Sequence, residues 1–172
     1  MTTATAFARA SVAGDADAIR TICTTAYWAT YRGLVAPDYL ERAIAEYYNA
    51  ERIAREVAAA PPRWHGYQVV EEGGLVLGAA GGGITSPGTG ELFVIYLDPE
   101  ARNRGLGTLL LDRVTSLLRD GGATEMWVSV VDGNEKGLPF YRARGFTPVE
   151  RRRAWGSTEN DDVWTWRMRR DI

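Results

Sequence analysis

Leu97-Asp98-Pro99-Glu100-Ala101-Arg102-Asn103-Arg104-Gly105-Leu106-Gly107-Thr108 is the stretch on which the reading of this chain turns. Before it runs Glu91-Leu92-Phe93-Val94-Ile95-Tyr96, rich in strand-forming residues; after it Leu106, Leu110, Val114 and Leu117 recur at helical spacing. Where a strand feeds a helix, the first backbone N–H groups lack partners and the positive end of the helix dipole faces the same point. Gly105 and Gly107 remove side chains there, which lets a diphosphate approach the backbone, and Arg102 or Arg104 can add a charge-assisted contact. Two other phosphate loops do not fit. The dinucleotide fingerprint wants a third glycine where Leu110 stands, and no Gly-Lys-Ser/Thr is present. Taken alone, a Gly-x-Gly pair at a helix start also fits a plain structural turn.

Working outward, the segment upstream predicts a hairpin, Trp64 to Glu72 and Leu75 to Ile84 around Gly73-Gly74, with Ser86-Pro87-Gly88 turning into the strand Glu91 to Leu97. Further upstream lie a short strand over 7–12 and Asp15 as a helix cap. Then come a helix carrying Ile19, Ile22, Ala26 and Thr30 and a second helical region from Pro37 towards Ala60, stopped by Pro61-Pro62. Downstream the helix closes at Gly121-Gly122, and Met126 to Val131 has the continuous apolar character of a strand buried on both faces. A short helix over Leu138 to Arg144 and two strands, 146–155 and 163–169, follow. The order predicts one α/β domain over residues 1–172 with a mixed sheet.

Composition narrows the classes. With 45% hydrophobic and 24% charged residues in 172, the chain is an ordinary globular domain with a real core. A net charge of -2 argues against nucleic acid as partner. Lys136 is the sole lysine among 20 basic residues. One cysteine, Cys23, forms no internal disulfide and suits a cytoplasmic location; no apolar run spans a bilayer, and Met1-Thr2-Thr3-Ala4 lacks a secretory pattern. One histidine, His65, excludes a histidine triad or a multi-histidine metal site, so no metal is expected; there is no Gly-x-Ser-x-Gly elbow.

Arg102-x-x-Gly105-x-Gly107 resembles the Arg/Gln-x-x-Gly-x-Gly/Ala signature with which the GNAT superfamily of N-acetyltransferases binds the pyrophosphate of coenzyme A. Glu91 to Leu97 with Pro99 resembles that family's fourth strand. Asn134, Gly137 and Phe140-Tyr141-Arg142-Ala143-Arg144-Gly145-Phe146 resemble its second motif, with Gly137 for the usual alanine and Pro139 early in the helix. Thr30-Tyr31-Arg32-Gly33 is similar to many bacterial members. The resemblance implies a mixed, mostly antiparallel sheet flanked by about four helices, and acetyl-CoA as cosubstrate. It also implies a coenzyme site formed by Ile95, Tyr96, Leu97, Arg102, Asn103, Arg104, Gly105, Leu106, Gly107, Thr108, Asn134 and Tyr141. In that pattern the fourth strand splays from its neighbour, main-chain groups near Ile95 and Leu97 pair with the pantetheine arm, and the Tyr141 hydroxyl protonates the leaving thiolate.

The base is Glu91 or a water chain. Strand alternation puts Glu91 with Phe93, Ile95 and Leu97 on one face, where partial burial strengthens a carboxylate as base. Tyr141 alternatively serves as a core aromatic, Asn134 as a helix N-cap, and Arg151-Arg152-Arg153 as a solvated face. Trp164, Trp166 and Met168 form a core or dimer stripe, from which a homodimer is expected. The acceptor is expected to be a small-molecule amine such as an amino acid, polyamine or antibiotic. Alternatives are a protein N-terminus or lysine, or a domain that binds acyl-CoA as a sensor without turnover.

Overall fold

Val69 and Val70, and likewise Ala79 and Ala80, are neighbours in sequence yet belong to different cores. That alternation across one sheet layers the protein. The computed structural model describes residues 4–172; Met1-Thr2-Thr3, part of the stretch read as lacking a secretory signal, lies outside the described residues. Its elements are β1 (Phe7–Ala10), α1 (Ala16–Tyr31), α2 (Pro37–Tyr47), α3 (Ala50–Glu56), β2 (Gln68–Glu72), β3 (Leu75–Ser86) and β4 (Thr89–Leu97). They continue with α4 (Leu106–Asp120), β5 (Glu125–Val131), α5 (Gly137–Arg142), β6 (Thr147–Arg153) and β7 (Trp164–Asp171). The strands form one sheet in the order β1-β2-β3-β4-β5-β7-β6, antiparallel except for β4 and β5. The long α4 packs on one face with Val70, Ala80, Leu92, Met126, Val128 and Met168. On the other face α1 and α3 pack Ile19, Cys23 and Ile53 against Val69, Ala79 and Val94.

Several expectations are corrected. The second helical region from Pro37 is two helices, because it breaks at Tyr48 and restarts at Asn49. The Asn49 side chain accepts from the Arg52 N–H at 2.8 Å and donates to the Ala45 and Glu46 carbonyls of α2. Asp15 does not cap α1 with its side chain. It accepts the Val12 N–H at 2.8 Å in a 3₁₀ turn and pairs with Arg9, whose guanidinium holds the Asp15 carboxyl below the usual carboxylate range. The first hairpin strand starts at Gln68, since Trp64 instead lies across Gly81 of β3 and donates its indole N–H to the Glu56 carbonyl. Strand β5 is not buried on both faces: Met126, Val128 and Val130 face the α4 core, while Ser129 is exposed on the other side.

The most consequential correction concerns β4. Gly81 of β3 pairs with Val94 and Gly82 with Leu92, so Phe93 is an extra, unpaired residue, a β-bulge. Alternation restarts after it. Leu92, Ile95 and Leu97 face the α4 core, Val94 and Tyr96 face α1, and Glu91 lies opposite to Ile95 and Leu97 rather than beside them. In β7 the tryptophan stripe is satisfied within the chain. Met168 is core, Trp166 donates to Asp132 at 3.0 Å, and Trp164 is flanked by the guanidinium groups of Arg151 and Arg153.

Candidate active site

The cleft begins where β4 and β5 part. Their parallel pairing runs only from Thr89↔Glu125 to Leu92↔Val128, and beyond it the two strands diverge. The bulge bends β4 at that point. Because the Asp98 N–H bonds the Leu77 carbonyl at 2.8 Å, antiparallel alternation directs the main-chain groups of Tyr96 to β3. Those of Leu97 and Ile95 therefore point away from β3, into the gap. The gap opens into a cleft of about 440 Å³ walled by β4, β5, the end of α1, the start of α4 and α5.

At one end of the cleft lies the glycine loop. Gly105 has φ 77°, a left-handed conformation that costs a residue with a Cβ about 1–2 kcal/mol, and it delivers the N-terminus of α4 to the cleft. Gly107 serves packing: a Cβ there would stand 3.1 Å from the Phe140 ring. Arg102 lines the cleft and donates to Thr30 at 3.1 Å. Asn103, Leu106 and Thr108 line it too, whereas Arg104 is held outside the lining by both Glu72 oxygens, at 2.7 and 2.6 Å. Two further cations, Lys136 and Arg144, join the lining, which carries no carboxylate. Arg144 stacks on Phe140 with 3.8 Å to the ring centroid and grips Thr108 through two N–H groups. A cleft with only cations among its charged walls and a helix N-terminus at its end fits a polyanionic cosubstrate. Arg144 stands within the quoted motif, but its hold on Thr108, 36 positions away, depends on how α5 meets α4.

Tyr141 is buried and lines the cleft; burial pushes its phenol up, and its hydroxyl has no hydrogen-bond partner among the described residues. Asn134 lines the cleft as well and caps α5, its Oδ1 accepting from Lys136 and Gly137 at 3.2 and 2.9 Å. Gly137 is matched to it, because a Cβ there would sit 2.7 Å from the Asn134 amide nitrogen. Glu91 is outside the lining. Both its carboxylate oxygens are taken by the Arg167 guanidinium, which also donates to Ser129 at 3.0 Å and lies over Trp127. His65 stands away from the cleft, and no group of three or more His, Cys, Asp or Glu among the described residues is arranged for a metal. No helix among them is long and apolar enough to cross a membrane.

Residues 23–146 match the Acetyltransferase (GNAT) family, and the chain belongs to this family of N-acetyltransferases, for which acetyl-CoA is the cosubstrate. It is 34% identical over 120 residues to N-alpha-acetyltransferase RimI of Mycobacterium tuberculosis, covering 68% of this chain and 71% of that one. It is 41% identical over 61 residues to mycothiol acetyltransferase of Beutenbergia cavernae; the match spans 36% of this chain but only 20% of that longer protein. Among solved structures, the PaiA N-acetyltransferase of Thermoplasma acidophilum in complex with coenzyme A has the same fold. Its TM-score is 0.81 at 20% identity, over 98% of this chain and 99% of that one.

Proposed function

We propose that this chain moves the acetyl group of acetyl-CoA directly onto a primary amine. The observation that carries the reading is the end of β4–β5 pairing at Leu92↔Val128, which frees the main chain of Ile95 and Leu97 along a cleft leading to the start of α4. In this reading the N–H groups at the start of α4, with Arg102, Lys136 and Arg144, hold the phosphates. Ile95 and Leu97 hold the pantetheine arm, and a main-chain N–H there receives charge developing on the carbonyl oxygen, a contribution of ~3 kcal/mol. Tyr141 gives its proton to the departing sulfur. Glu91, turned to Arg167, takes the amine proton through water rather than by contact.

The acceptor is proposed to be a small-molecule amine. A second reading, a protein N-terminus, is favoured by the match to the mycobacterial N-alpha-acetyltransferase, which extends over two thirds of the chain. Release of coenzyme A is to be followed with spermidine, lysine, kanamycin and an alanyl tetrapeptide. Turnover with one of the first three supports the small-molecule reading and turnover with the peptide alone the second. Acetyl-CoA binding without turnover of any overturns both in favour of a sensor.

Gly105→Glu tests the donor site. The Cβ at Gly105 meets open space, so the fold is expected to survive the strained φ. The carboxylate would stand where phosphate binds, and acetyl-CoA affinity is expected to fall by about a hundredfold, ~2.7 kcal/mol by calorimetry. Unchanged affinity would make the loop merely structural. The reading also includes a cytoplasmic location, suited to the unpaired Cys23, and a homodimer through the C-terminal hairpin. There β6 is an edge strand with every residue exposed. Light scattering at micromolar concentration is expected to give twice 18.9 kDa, and the monomer mass rejects it.

A further inference from the structure

Arg170, near the end of β7, stands where an apolar side chain would be expected. Strand alternation puts it on the α4 side of the sheet with the buried Met168, and its guanidinium lies over the Phe146 ring, 4.7 Å from the centroid. Its hydrogen bonds go to a hydroxyl and a carbonyl rather than to a carboxylate: Nη2 donates to Thr115 Oγ1 at 2.7 Å and Nη1 to the Arg144 carbonyl at 2.8 Å. Its Nε is buried with no partner among the described residues, and burial pulls the guanidinium below the usual arginine range. A cation drawn out of water with no anion bonded to it costs stability. Hydrocarbon of similar size would fill the space without that cost, so the use of arginine here lies in its planar fork, which reaches two acceptors at once.

Those two acceptors belong to two walls of the cleft. Thr115 is buried on α4, on the same side of the helix as Thr108 one heptad earlier, and its own hydroxyl donates to the Leu111 carbonyl at 2.7 Å. Arg144 lies in the turn that closes α5. There the Tyr141 carbonyl accepts the N–H groups of Arg144 and Phe146 at 3.0 and 3.1 Å, so the carbonyl that Arg170 holds is part of the same closed turn as Tyr141. From this turn the Arg144 side chain reaches back to Thr108 on α4. The end of α5 is thus tied to α4 twice, by Arg144 inside the cleft and by Arg170, which is not among the cleft-lining residues.

Resting on the reading of Arg144 as a phosphate ligand given above, we infer that Arg170 is a positioning residue for the donor site: by clamping the Arg144 carbonyl to Thr115 it keeps the Arg144 guanidinium at the start of α4. Without the clamp the closing turn of α5 is free to shift against α4, and the long Arg144 side chain has more conformations to give up when acetyl-CoA binds. The effect of Arg170 therefore belongs in acetyl-CoA affinity, and it passes through the Arg144 side chain.

The test is a double-mutant cycle on the full chain, read as acetyl-CoA affinity by calorimetry and as Tm. Arg144→Met removes the phosphate ligand but keeps the main-chain carbonyl that Arg170 grips; it is expected to lower affinity by about 30-fold. Arg170→Met is expected to lower affinity by about 5- to 10-fold in the otherwise unmodified chain, and by no more than about twofold where Arg144→Met is already present, with the same change in Tm in both backgrounds. Arg170→Lys keeps the charge but not the fork; it is expected to lower affinity by about threefold or more, and it carries the test should the methionine variant fold poorly. An equal affinity loss from Arg170→Met in both backgrounds overturns the inference in favour of a general loosening of the domain. Affinity within about twofold of the unmodified chain in the Arg170 variants overturns it outright. Unchanged affinity in Arg144→Met overturns the reading of Arg144 as a phosphate ligand itself, a failure visible without any Arg170 variant.

Discussion

Tyr141→Phe is expected to lower kcat by ~10² to 10⁴ while leaving acetyl-CoA affinity and folding nearly unchanged. The ring keeps its edge contacts with Phe140 at 5.1 Å and Phe146 at 5.4 Å, and the hydroxyl has no partner within the described chain to lose. Burial keeps the phenol protonated across the working pH range, which suits a donor of one proton to a thiolate formed beside it. The rate loss should therefore be flat with pH through neutrality. Stopped-flow or steady-state release of coenzyme A under saturating substrates measures it. Full turnover in the variant would assign protonation of the sulfur to water.

Glu91→Gln is expected to damage stability as well as rate, because its carboxylate is half of an enclosed pair with Arg167. Side-chain exposures are 17% for Glu91 and 10% for Arg167, so the amide leaves a guanidinium with little water to turn to. Removing one partner of such a pair costs about 3 kcal/mol. For a chain of this size that lowers Tm by about 6–12 °C. Replacing both residues, Glu91→Met with Arg167→Met, should recover most of this loss, since the uncompensated charge is gone. The kinetic defect of Glu91→Gln has its own signature: it should shrink as pH rises, because more of the amine is then neutral without help. Chemical denaturation and a pH–rate profile separate the effects. A defect that does not change with pH would leave Glu91 as a purely structural partner of Arg167.

The glycine-loop end of the cleft was legible in local sequence because its geometry is local. The left-handed Gly105, the start of α4 and the Asn134 cap of α5 each depend on residues within one turn of chain. Cys23 shares the buried face of α1 with Ile19, Ile22 and Ala26, since one face of an amphipathic helix is set by period alone. The split of the second helical region has a local cause too, the Asn49 side chain that caps α3 through the Arg52 N–H.

What the sequence by itself determined, then, was the order of elements, the family and the glycine loop that opens α4, because periodicity and short-range backbone chemistry are written in neighbouring residues. What only the tertiary structure decided was where side chains from distant parts of the chain point. The bulge at Phe93 arises from how β4 must pair with β3, and it reverses the face on which Ile95 and Leu97 lie relative to Glu91. Glu91 and Arg167 lie 76 positions apart, and Tyr31 and Tyr96 lie 65 apart. No spacing rule couples residues so far separated. They meet only because β5 and β7 lie beside β4 in the sheet and α1 packs across its face.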